Sequence, residues 1–395
     1  MIAIRLLFAV LLFGGLFTYQ DTAMAQSSNI LTIDRLIDHV SNVPVIAGKH
    51  IDLFVRERVL EETLNATTGG KAKPGSVVLF VHGGYSPSTL AFDVQFKDYS
   101  WMEHLARAGY DVFAMDMTGY GRSGHPMMDD PCNLEPKQQD LLIPKNLAAK
   151  CTPRYPYELV SSDTETADIN AVVDFIRKLR GLDKITLIGW SGGGIRTGTF
   201  TVRHQEKVEK LVIQASSNYS RKNPDNPPAT LPKPGAPMTI QTRDVGIDKR
   251  WTSLAKCEGQ IEPGMPEYIW NLNVMHDPVG ATWGPGGMRA PTRTYWGWNA
   301  KSARKITIPT LIMVGEQDEL TASNLQLFDD LGSQKKVFLG IACATHFAVW
   351  EKQRRVLHNA SLEWLRGTEL SGTDRGWFRA DQEGRIAPMQ TNPAR

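Results

Sequence analysis

The chain reads as an α/β protein, a mostly parallel central sheet with helices on both faces and an inserted cap. Three observations predict it. Short unbroken apolar runs such as Val77-Val78-Leu79-Phe80-Val81 have the composition of strands buried on both faces. Segments of helical periodicity alternate with those runs, as βαβ units require. Capping residues and glycines stand at the joints between them.

Taken in order, residues 43–60 pattern as a β-hairpin with its turn at Ala47-Gly48-Lys49. After the strand at 77–81, Ser100-Trp101-Met102-Glu103 is a capping box for a helix ending at Gly109, and 111–115 is the next buried strand. Ser162-Asp163-Thr164-Glu165 opens a longer helix with Ile169, Val172, Val173, Ile176 and Leu179 on one face and Gly181 at its end. Strands follow at 184–189, 210–215, 310–314 and 336–339, with helices at 195–204 and 348–365.

Two segments break this rhythm. Residues 127–159 are proline-rich and hold the first two cysteines. Residues 217–306, about 90 positions, are too many for a bare connection and carry Trp251, Trp270, Trp283, Trp296 and Trp298, half of the 10 tryptophans. The expected organisation is therefore a core over 26–216 and 307–370, a cap over 217–306, and a mobile tail over 371–395 without apolar periodicity. Residues 1–25 pattern as a signal peptide: Arg5, an apolar stretch over 6–17 and Ala23-Met24-Ala25 as a cleavage site. That stretch is shorter than the roughly 20 residues a membrane span needs, and no later segment is long and apolar enough. A periplasmic or secreted protein is expected.

A net charge of +2 in 395 residues gives no basis for a nucleic-acid partner, and the oligomeric state is left open. The four cysteines form no CxxC pair, so no metal is expected. In an oxidising compartment their even number favours disulfides. Cys132 with Cys151 would close a short loop inside one segment, which leaves Cys257 with Cys343 by elimination.

The chemistry centres on Gly189-Trp190-Ser191-Gly192-Gly193. This G-x-S-x-G lies directly after a buried strand and before a helix, where a serine is held on a sharp turn and flanking glycines avoid clashes. A serine hydroxyl needs a base to take its proton. Of the nine histidines, His346 alone stands in a loop after the last short strand and before the last helix. Asp318, in the loop after the strand at 310–314, is the acid expected to orient it. Glu316 and Glu319 are its neighbours and remain alternatives. The developing oxyanion needs two backbone N–H groups, one from Gly192 and one from Gly84 or Tyr85 in His82-Gly83-Gly84-Tyr85. His82 is expected to brace that turn.

These motifs, with the turn Asp116-Met117-Thr118-Gly119-Tyr120-Gly121-Arg122-Ser123, resemble the α/β-hydrolase superfamily in its esterase and lipase-like branch, over roughly 43–366 apart from the two insertions. The order Ser, Asp, His matches. The resemblance implies acyl transfer to water without metal or organic cofactor. A serine at 191 separates the chain from the dehalogenase and epoxide-hydrolase branches, whose nucleophile is aspartate. The oxyanion motif stops at two glycines, unlike that of the hormone-sensitive-lipase-like esterases, so the substrate does not transfer with the fold. The reading is a serine hydrolase cleaving a carboxylic ester of an apolar or aromatic small molecule. Amide, carbamate or lipid-ester hydrolysis would use the same triad, and a non-catalytic binding protein is the reading from another class.

Overall fold

The computed structural model describes residues 29–67 and 71–389. The expected signal peptide lies outside the described residues. Ten strands form one sheet: β1 (Ile30–Val40), β2 (His50–Leu60), β3 (Val77–Val81), β4 (Asp111–Met115), β5 (Ile185–Trp190), β6 (Val208–Gln214), β7 (Thr310–Gly315), β8 (Lys336–Ile341), β9 (Gly376–Ala380) and β10 (Ile386–Pro388). Their order is β1-β2-β4-β3-β5-β6-β7-β8-β9-β10. From β4 to β9 all neighbours run parallel. Only β2 and β10 run against that direction.

Alternation along the strands feeds two cores, one on each face. Val78 and Phe80 point to one face, with α1 (Trp101–Arg107) and α5 (Arg354–Gly367). Val77, Leu79 and Val81 point to the other, against α2 (Ser162–Arg180), α3 (Gly192–Arg203) and α4 (Thr321–Asp330). The caps behave as their chemistry requires. Ser100 accepts from the Glu103 N–H at 2.9 Å, and Gly181 ends α2 in the left-handed conformation at φ 61°, which costs a residue without Cβ little.

Three differences from the sequence reading have physical causes. The hairpin is real, but its first strand is β1, and residues 41–49 form the connection. β1 lies at the sheet edge with mixed polar and apolar positions, so it lacks the unbroken apolar run of an interior strand. The capping box of α2 starts one residue earlier, at Ser161, with Thr164 as its reciprocal partner. Residues 371–389, read as a mobile tail, instead add β9 and β10 to the sheet. Only Phe378 and Ala380 of β9 are fully buried, too few to show a periodicity.

The 217–306 segment contains the antiparallel pair Met238–Thr242 and Gly287–Pro291 and the helix Met265–His276. Both expected disulfides, Cys132–Cys151 and Cys257–Cys343, are present. No helix among the described residues is long and apolar enough to cross a membrane.

One buried acid links folding to pH. Asp168 on α2 accepts from the Thr118 N–H at 3.0 Å and faces His39 Nε2 at 3.4 Å. Burial pushes its carboxyl up to about 7, against the hydrogen bonding of Thr118. A carboxyl raised in the folded state binds its proton more tightly there than in the unfolded chain. The stabilisation is therefore full below the ordinary aspartate range and is lost as pH rises through about 7. Asp168→Asn keeps an oxygen for Thr118 and removes this proton equilibrium. Urea unfolding from about pH 4 to 7 should then show wild-type stability falling more steeply than the variant's, by up to about 1.4 kcal/mol per pH unit.

Candidate active site

Ser191 stands between β5 and α3 at φ 56° and ψ −117°, a conformation that a residue with a Cβ adopts only under constraint. The constraint is visible in its hydrogen bonds. The Ser191 N–H donates to the Gln214 carbonyl at 2.9 Å, and its own carbonyl accepts from Gly194 and Ser217. The flanking glycines are required by space. A Cβ on Gly189 would lie 2.4 Å from the Gly193 carbonyl oxygen, and one on Gly193 would lie 1.9 Å from that of Val81.

That close approach sets the turn after β3 beside the serine. A Cβ on Gly83 would fall 2.9 Å from the Ser191 Cβ and 3.3 Å from its Oγ. His82 braces the turn, as its sequence context suggests. Its Nδ1 donates to the Gly83 carbonyl at 2.7 Å and its Nε2 accepts from the Met117 N–H at 3.1 Å, a pairing that selects the neutral Nδ1–H tautomer. Burial and the nearby Arg196 hold its pKa well below the usual histidine range. The N–H groups of Gly84 and Tyr85 meet no protein acceptor among the described residues. Gly192, the first residue of α3, lies ahead of the helix's own hydrogen bonds. Tyr85 adopts φ 58°, and its hydroxyl meets that of Thr239 at 2.7 Å.

Asp318 and His346, the candidate acid and base, are brought together. Asp318 Oδ2 accepts from His346 Nδ1 at 2.9 Å, while Oδ1 accepts from the Leu320 N–H at 2.9 Å. Asp318 is buried. Glu316 instead turns outward to a two-point ion pair with Arg379 on β9, and Glu319 is exposed. Trp190 supports His346, donating its Nε1–H to the His346 carbonyl at 3.0 Å with ring centroids 5.9 Å apart. Ser191, His346, Gly84, Tyr85 and Gly192 all line one cavity of about 180 Å³, comparable to engineered cavities that admit a single aromatic ring. Its walls include Ile247, Trp270 and Met288 from the insertion and Phe347 and Trp350 from the core.

Three supporting side chains escaped the sequence reading. Arg196 on α3 is wholly buried, donates to the carbonyls of His82 and Gly83 at 2.7 and 3.1 Å, and pairs with Glu165. An arginine one turn beyond Ser191, among small residues, was the available signal. Arg293 reaches the cavity from the insertion. Glu351, wholly buried, joins the insertion to the loop of the base. It accepts from Trp251 Nε1 at 3.1 Å, Gln260 Nε2 at 3.0 Å and the Thr345 N–H at 3.0 Å, and also from the Thr345 hydroxyl. Burial pushes its carboxyl up, against these donors. The Cys257–Cys343 disulfide crosses the same seam.

A family model described as alpha/beta hydrolase fold matches residues 76–353. The chain is 24% identical over 294 residues to the bifunctional epoxide hydrolase 2 of Sus scrofa, covering 62% of this chain and 45% of that enzyme's length. It is 27% identical over 229 residues to the proline iminopeptidase of Saccharolobus solfataricus, covering 49% and 68%. Among solved structures, it is similar to a thermophilic esterase from Thermogutta terrifontis with malate bound. The TM-score is 0.51 and the identity 16%, over 85% of this chain and 100% of that one.

The Glu351 seam yields a stability prediction. Glu351→Leu strands the buried donors of Trp251, Gln260 and Thr345, at a cost of about 3 kcal/mol or more. Glu351→Gln retains one acceptor and should cost roughly half as much. Denaturant unfolding measures both.

Proposed function

Because the chain belongs to the alpha/beta hydrolase fold family, we propose that it is a serine hydrolase in which Ser191, His346 and Asp318 act as a catalytic triad on a carboxylic ester. The observation that carries this reading is the 2.9 Å contact between Asp318 and His346, beside a cavity that His346 shares with the constrained Ser191. Asp318 holds the imidazole with Nδ1 protonated, which leaves Nε2 free to take the Ser191 proton. The alkoxide attacks the ester carbonyl, and the oxyanion is received by the N–H of Gly192 and that of Gly84 or Tyr85. His346 then gives its proton to the leaving alcohol and later takes one from the water that releases the acid. The apolar walls from Ile247, Trp270, Met288, Phe347 and Trp350 suit an apolar or aromatic portion of the substrate. The two disulfides fit a protein that matures in the periplasm or outside the cell.

A fluorophosphonate probe should label Ser191 and leave Ser191→Ala unlabelled. Activity on aryl and alkyl esters, set beside amides and carbamates, then defines the bond class. Ser191→Ala and His346→Ala should each lower kcat by about 10⁵ to 10⁶, and Asp318→Asn by about 10⁴. Probe labelling that survives in Ser191→Ala would reject the assignment.

The seam predicts a redox dependence. Mild reduction, or the Cys257→Ser/Cys343→Ser double variant, should lower kcat/KM roughly ten- to hundredfold, because a small displacement of a catalytic group costs that much. Circular dichroism should stay native over the same range. Cys132→Ser/Cys151→Ser, remote from the base in sequence, is the control.

A further inference from the structure

The cavity is electrostatically one-sided. Arg250 and Arg293 both line it, and among the described residues no aspartate or glutamate does. Arg293 is the more telling of the two. Its side chain is 17% exposed, its guanidinium lies over the Tyr295 ring at 5.2 Å, and its Nη1 is buried without a hydrogen-bond partner. The nearest carboxylate is Glu165, whose Oε1 lies 3.9 Å from that Nη1. Glu165 is already committed, with the same Oε1 accepting from Arg196 Nε at 2.9 Å and facing its Nη2 at 2.8 Å. Two guanidiniums thus share one carboxylate, and one positive charge is left over at the edge of the cavity.

Its position says what it is for. Arg293 Nη2 lies 3.3 Å from where a Cβ of Gly84 would project, and Nη1 lies 3.2 Å from that of Gly192. A group that meets the Cβ positions sits beside the N–H donors of those residues, not in line with them. The guanidinium therefore stands next to the proposed oxyanion site, where it can take a second anionic group a few bonds from the scissile carbonyl. A planar fork of donors is the natural partner of a carboxylate, and a desolvated cation gains most from one.

We propose that Arg293 anchors an anionic subsite, so that the ester cleaved here carries a free carboxylate, with its apolar portion against the aromatic wall. This rests on the serine-hydrolase reading and narrows its substrate class. Arg250, at the exposed rim of the same cavity, adds a field that draws anions in.

The test compares two esters of one shape. Monobenzyl succinate carries the carboxylate, and benzyl 4-methylpentanoate replaces it with an isopropyl group. Benzyl alcohol release gives kcat/KM for each. The wild type should favour the succinate ester at least tenfold, and Arg293→Met should reduce that ratio at least tenfold. A wild-type ratio near one overturns the proposal. So does a ratio unchanged in Arg293→Met while both esters slow together, which would give Arg293 a role on the oxyanion or in the fold. Arg293→Lys, which keeps the charge without the fork, should fall between and serves if the methionine variant does not fold. Succinate binding to Ser191→Ala, followed by the fluorescence of the cavity tryptophans, reads the subsite without turnover. Binding that disappears on adding Arg293→Met supports the subsite even if neither ester is cleaved and the hydrolase reading falls. No binding at millimolar succinate overturns the subsite while leaving fluorophosphonate labelling to judge the hydrolase.

Discussion

The carbonyl oxygen of Val81 occupies the space where any side chain at position 193 would have to stand. This backbone-to-backbone contact, between the end of β3 and the start of α3, is the constraint on which the site depends. It forces the chain to leave β5 sharply, holds Ser191 at positive φ, and presses the His82-Gly83-Gly84-Tyr85 turn against the serine. Two segments about 110 residues apart thereby share one small volume. Arg196 then secures the contact from beneath through the carbonyls of His82 and Gly83.

Around that contact the molecule organises its buried charge unevenly. His82 is held neutral between a carbonyl and an N–H. Asp318 is committed to His346 and a backbone amide, and Glu351 to four donors. Each of these groups has partners enough to offset its removal from water. Arg293 does not. A largely buried cation whose nearest carboxylate, Glu165, is already paired with Arg196 is poorly explained by stability, which is why it points toward a ligand.

Much of this was legible in the sequence. The interior strands declared themselves because burial on both faces demands unbroken apolar runs, and β3 has the bounds expected of it. Ser191, His346 and Asp318 stood out as candidates because each sits at a strand end, where parallel sheets place their chemistry. The structure adds where the neighbouring acids go, with Asp318 on His346 and Glu316 turned to Arg379 by packing. The strands at the two ends of the sheet, β1, β9 and β10, were obscure, being half-polar or short. Arg196, Arg293 and Glu351 were obscure for another reason. A buried charge is recognised by what surrounds it, and partners such as Glu165 for Arg196 and Arg293 or Trp251 for Glu351 lie about 30 to 130 positions away in the chain.

The stitching between the insertion and the loop of His346 also governs traffic. A disulfide and a buried carboxylate bind the two on the side of Trp251, so that bank cannot lift without dragging the imidazole off Asp318. The 238–242 ribbon, by contrast, is tied to Tyr85 through a pair of hydroxyls, a weaker link than a disulfide. On the proposed function, a substrate that displaced the Trp251 side would disturb His346 as well. Under that reading the seam would limit the size of the substrate as well as brace the loop.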